Sequence, residues 1–113
     1  MPDLSHPNFA ASITADDERR HVTCTLSGEL DLGSADELLG AVDGLRDADD
    51  VVIDLDALSF MDSTGVHALL ACRDVLADRG IPTQLEHVNP QALRVLELTG
   101  TRELLLIRSG GGE

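Results

Sequence analysis

Val51, Val52 and Ile53 stand in unbroken apolar succession, and ten residues further on the sequence changes to a helical spacing that puts Leu69, Cys72 and Leu76 on one stripe. An unbroken apolar run suits a strand covered on both faces of a parallel sheet, whereas a strand with one wet face alternates. Between the two patterns lies a short polar joint, Asp62-Ser63-Thr64-Gly65. A strand leading through a tight turn into an amphipathic helix is half of a right-handed crossover, so this stretch alone points to an α/β architecture.

The flanking sequence completes the pattern. Residues 9–14 and 21–27 alternate as two strands of an opening hairpin, joined by the polar stretch 15–20. A loop over 28–32 follows, and Ser34 with Glu37 forms a capping-box signature. The helix it opens carries Ala35, Leu38, Leu39, Val42 and Leu45 on one face and is expected to end near Leu45. A strand over 50–55 precedes the joint, and the helix from 63 to about 79 is stopped by Gly80 and Pro82. Its core stripe is flanked by Ala68 and Val75, while His67, Asp74 and Asp78 face outward. Another strand is predicted over 83–88; Asn89 caps and Pro90 opens a helix packing through Leu93, Val95 and Leu96 and ending at Gly100, before a last strand at 104–107. The expected fold is one small domain over 8–108, a mixed, mostly parallel sheet of four to five strands with an antiparallel opening hairpin and helices packed on it. Residues 1–7 and 109–113 have little to bury and are expected to be flexible.

Composition removes several function classes. With 21 acidic residues against 8 basic ones, every one of them Arg, the net charge is −13, the opposite of what a nucleic-acid surface requires. No apolar run approaches the roughly 18 residues of a membrane span and no signal peptide opens the chain, so no membrane insertion and a cytoplasmic location are expected. Cys24 and Cys72 form no CxxC pair and read as buried thiols. His6, His21, His67 and His87 show no ligand spacing, so neither metal nor cofactor is expected. Trp and Tyr are absent, which removes the stacking platforms of single-strand binders. MDSTG is not a nucleophile elbow, because Met61 stands where the first Gly belongs, and without any Lys no P-loop can form. Asp62 to Gly65 is one residue too long for the aspartic-protease triplet and has no second copy, so no catalytic residue is assigned.

What remains is the edge where the carboxyl ends of the strands meet, the usual place for sites in parallel sheets. The 29–32 loop and the 61–65 turn both open there, bringing Asp31, Asp62 and Ser63 within reach of one another. A hydroxyl at a helix start lies among unpaired N–H groups where the macrodipole favours an anion. In most proteins Ser, Thr and Asp at such a start are only caps, worth about 1 kcal/mol. Asp31 is equally a plain turn residue, and His67 a solvated one.

Gly28-Glu29-Leu30-Asp31 and the run IDLDALSFMDSTG over 53–65 resemble the STAS domain of anti-sigma factor antagonists. The resemblance covers most of the chain and implies the STAS fold and a partner-switching regulator. Its serine, here Ser63, would be phosphorylated by an anti-sigma factor that is also a serine kinase using ATP. The unphosphorylated form would bind that partner, and a phosphoserine phosphatase would restore it. Glu29, Asp31, Asp62, Ser63, Thr64, Gly65 and His67 are the partner-binding residues implied. Similar domains often finish with another helix, which the SGGGE ending leaves missing or shortened. Other uses of the fold are a STAS subunit of a lipid-transport or signalling scaffold complex. Outside the family, a small-ligand or nucleotide-binding module is the alternative.

Overall fold

In the computed structural model, which describes residues 8–16, 18 and 20–108, alternating apolar and polar side chains build a five-stranded sheet. Its strands are β1 (Phe9–Ala15), β2 (His21–Leu30), β3 (Asp50–Met61), β4 (Thr83–Glu86) and β5 (Leu106–Arg108), in that spatial order. The β1–β2 pair is antiparallel, as expected of the hairpin, and every other pair is parallel. Three helices make the connections: α1 (Ala35–Asp43), α2 (Ser63–Asp78) and α3 (Pro90–Leu98).

The core lies on one face of this sheet. Val22, Cys24, Leu26 and Leu30 of β2 and Val51, Ile53, Leu55, Leu58 and Met61 of β3 are buried. They pack against Leu38 and Val42 of α1, Val66, Leu69, Cys72 and Leu76 of α2, and Ala92 and Leu96 of α3. Burying each such aliphatic side chain contributes about 1.5–3 kcal/mol. The intervening residues Thr23, Thr25, Val52, Asp54 and Gln84 stay half-buried or exposed, so the two-sided covering expected from Val51-Val52-Ile53 is not found. Val52 lies on the open face, where a β-branched side chain still fits the pleat.

Both site strands run further than their patterns foretold. β2 continues to Leu30 and β3 to Met61, with shifts of register between Thr25 and Ser27 and between Gly28 and Glu29. These irregularities make Leu55, Leu58 and Met61 all buried at a spacing of three, and a reading in steps of two loses the strand after Leu55. Gly28 is required at the second shift: its φ is +87°, and a Cβ there would lie 1.6 Å from the Asn8 carbonyl oxygen.

The capping box does not form. Ser34 is buried and makes no side-chain cap bond to α1; its hydroxyl donates to the Glu29 carbonyl at 2.7 Å and accepts from the Asp31 N–H at 3.0 Å. The helix itself ends at Asp43 rather than near Leu45. β4 stops at Glu86 because His87 turns into the left-handed region at φ 57°. A short 3-10 turn over Arg102–Leu104 moves the last strand from the expected 104–107 to Leu106–Arg108. The expected flexible ends, 1–7 and 109–113, and the missing final helix lie outside the described residues. Both cysteines are free and buried, and burial pushes the thiols up to about 11 at Cys24 and about 12 at Cys72. A thiol held protonated is a poor nucleophile, so these two are core residues and not reactive ones.

Candidate functional site

Pairing of Leu30 with Met61 ends the β2–β3 ladder, so Asp31 and Asp62 leave the sheet side by side. The Asp62 N–H lies 3.4 Å from the Leu30 carbonyl oxygen. Asp62 is extended and caps α2: its Oδ1 accepts from the Gly65 N–H at 3.0 Å, and its carbonyl accepts from the Val66 N–H at 3.1 Å. Ser63 is therefore the first helical residue, exposed, and among the described residues its hydroxyl has no hydrogen-bond partner. Its Oγ stands free at the positive end of a 16-residue helix.

Gly65 is what allows α2 to start so close to β2. A Cβ there would meet the Leu30 carbonyl oxygen at 2.5 Å and Met61 Cγ at 2.8 Å. Thr64 is half-buried beside it, and His67 is exposed one turn along.

The first acidic segment is more structured than a loop. Glu29 lies on β2, half-buried, and its N–H donates to the Asn8 carbonyl at 2.7 Å. Asp31 builds its own turn, its Oδ1 accepting from the Gly33 N–H at 3.0 Å. Beyond it Leu32 is 78% exposed, and Phe60, at the end of β3, is 42% exposed. No Arg lies between Arg20 and Arg46 or between Arg46 and Arg73, so the segments that build this edge contribute carboxylates and no guanidinium.

Gln91 and Asn89 belong to the site's support and were not singled out by sequence reasoning for this role. β4 pairs with β3 only as far as Asp54, which leaves the later part of β3 without a strand on that side. Side-chain amides take its place: Asn89 Nδ2 donates to the Leu58 carbonyl at 2.8 Å, while Gln91 accepts from the Met61 N–H at 3.1 Å and donates to the Met61 carbonyl at 2.8 Å. Asn89 also caps α3, as predicted, by accepting from the Ala92 N–H at 2.8 Å. No pattern in the sequence marks Gln91, because its partner is main chain thirty residues away. Gln91→Ala is expected to lower stability by about 1–2 kcal/mol for the two lost bonds. Chemical denaturation reads that loss, and hydrogen exchange should show faster opening at the Met61 amide.

The STAS domain family model matches residues 12–110. An anti-sigma-B factor antagonist of Listeria monocytogenes is 27% identical over 95 residues, which cover 82% of this chain and 83% of that protein. The crystal structure of an anti-sigma factor antagonist from Mycobacterium paratuberculosis matches with a TM-score of 0.78 at 24% identity, over 95% of this chain and 92% of that one. The structure of the Bacillus cell fate determinant SpoIIAA in its phosphorylated form matches with a TM-score of 0.66 at 22% identity, over 89% of this chain and 93% of that one. At such identities the structural likeness concerns the fold.

Proposed function

The chain belongs to the STAS domain family, and from that membership we propose that it is an anti-sigma factor antagonist working by partner switching, with Ser63 as its phosphate acceptor. The observation that carries this reading is the place of Ser63: exposed, unpartnered among the described residues, and first in α2 beside the end of β2. The similarity to an anti-sigma-B factor antagonist and to a structure of a phosphorylated form supports it.

The partner is an anti-sigma factor that is also a serine kinase. In the kinase step the γ-phosphoryl group of ATP passes to Ser63 Oγ, the hydroxyl proton is lost and ADP leaves. This chain is then substrate and binding partner, and carries no catalytic residue of its own. The docking surface comprises Glu29, Asp31, Asp62, Ser63, Thr64, Gly65 and His67. A phosphoserine phosphatase resets the switch, and the exchange takes place in the cytoplasm. Among the described residues no helix is long and apolar enough to cross a membrane.

Incubation of the full chain with its cognate anti-sigma kinase and ATP, read by intact mass, tests the reading. One added phosphate, mapped to Ser63 and absent in Ser63→Ala, is the expected result; phosphate elsewhere, or none, overturns it.

A further inference from the structure

On the helix-free face of the sheet, Asp54 of β3 pairs in register with Glu86 at the end of β4. Carboxylates side by side on adjacent strands repel, and positive charge near them offsets the repulsion; Asp54 Oδ1 accepts from the Asp56 N–H at 2.9 Å, and Glu86 pairs in register with Arg108 of β5 on its other side. Both are largely shielded, with side chains 20% and 23% exposed. The next residue, His87, would point to the opposite face if β4 continued. Its φ of 57°, the only positive value among the described non-glycine residues, ends the strand and returns the imidazole to the carboxylates. Nδ1 then lies 3.1 Å from Asp54 Oδ1 and 3.7 Å from Glu86 Oε1. One ligand atom from each of the three residues falls within 4.8 Å of both others.

Ligands at 2.0–2.2 Å around a tetrahedral ion lie about 3.4 Å apart, so small side-chain rotations close these three donors onto one ion. An imidazole nitrogen with two carboxylate oxygens suits Zn2+ and its neighbours better than Mg2+ or Ca2+, which prefer shells of oxygen alone. We propose that Asp54, Glu86 and His87 form a site for one divalent transition-metal ion of the Zn2+ class, with a fourth position open to water or to a donor from another molecule. The ion would tie the end of β4 to β3 just before Asn89 and Gln91, the two residues that hold the later part of β3. None of the three ligands belongs to the Ser63 edge, so this site stands or falls apart from the phosphorylation reading.

The test is titration of the metal-free full chain with ZnCl2 alone, followed by calorimetry and thermal melting. One equivalent is expected to bind in the micromolar range and to raise the melting temperature, with MgCl2 having no such effect. His87→Gly removes the imidazole while suiting the left-handed backbone, so it should melt at least as high as the parent without metal and bind Zn2+ at least about tenfold more weakly. Asp54→Asn should weaken binding similarly. His21→Ala, which removes the imidazole paired with Asp50 at the opposite end of the strands, should leave it unchanged. Absence of binding by the parent chain, binding unaltered in both His87→Gly and Asp54→Asn, or loss in His21→Ala would each overturn the proposal.

Discussion

Gly65→Ala is expected to destabilise the protein by about 2 kcal/mol, although alanine in a helix is ordinarily better than glycine by about 1 kcal/mol. The sign reverses because the added methyl would stand 2.5 Å from the Leu30 carbonyl oxygen, which is main chain and cannot rotate away as a side chain could. Either α2 lifts from the end of β2 or the β2–β3 ladder opens at Leu30 and Met61. Both movements displace Ser63 from its place beside the first acidic turn. Gly40→Ala in α1 is the matching control, since a Cβ there meets nothing within 4 Å. That variant should gain up to about 1 kcal/mol. Thermal melts should therefore separate the two substitutions in opposite directions, by roughly 4–8 °C for each kcal/mol in a domain of this size. A Gly65→Ala protein as stable as the parent would show that the close approach of helix and strand is not needed.

Ser63→Asp and Ser63→Glu are expected to bind the anti-sigma partner at least tenfold more weakly than the parent, and phosphorylated Ser63 about a hundredfold more weakly. Ser63→Ala should bind nearly as well as the parent. A phosphate brings roughly −1.5 to −2 charges to a chain already at −13. The start of α2 offsets up to about 2 kcal/mol of this in a partly buried geometry. The segments that form the edge bring no Arg to take up the remainder. A partner surface shaped for a neutral hydroxyl must then strip water from a dianion, at a cost of several kcal/mol, while a hundredfold change in affinity needs only about 2.8 kcal/mol. Fold stability should move the other way, because an acidic residue in the first turn of a helix is favourable by about 0.3–1 kcal/mol. Weaker binding together with an equal or higher melting temperature is thus the signature of a charge switch. Equal affinity for all variants would remove the mechanism.

The candidate site was legible to different depths at different residues. The helix start at Ser63 is legible in the sequence because Asp62-Ser63-Thr64-Gly65 is a local signal: the cap, the first turn and the change from strand to helix all lie within a few residues. Topology alone puts Asp31 near it, through the rule that parallel strands open their carboxyl ends at one edge, and the pairing of Leu30 with Met61 agrees. Ser34 marks a limit of local signals, because a Ser followed three residues later by Glu is compatible with two uses of the hydroxyl. Burial selects the second, in which Oγ ties the Glu29 carbonyl and the Asp31 N–H together and holds the acidic turn in shape.

Periodicity and local chemistry carry most of the architecture: the three helices and the Asn89 cap follow from spacings a few residues long, since those interactions join near neighbours in the chain, and the hairpin and the parallel pairing of the later strands follow from the order in which strands and helices alternate. Three things were settled by contacts between distant segments. The register shifts that carry β3 on to Met61 arise between strands, so neither strand records them alone. The open face of the sheet depends on where all three helices pack, which the apolar run at Val51-Val52-Ile53 could not reveal. The meeting of Asp54 with Glu86 and His87, like the grip of Gln91 on Met61, joins residues some thirty positions apart. Such encounters leave no spacing to read, because folding creates the proximity.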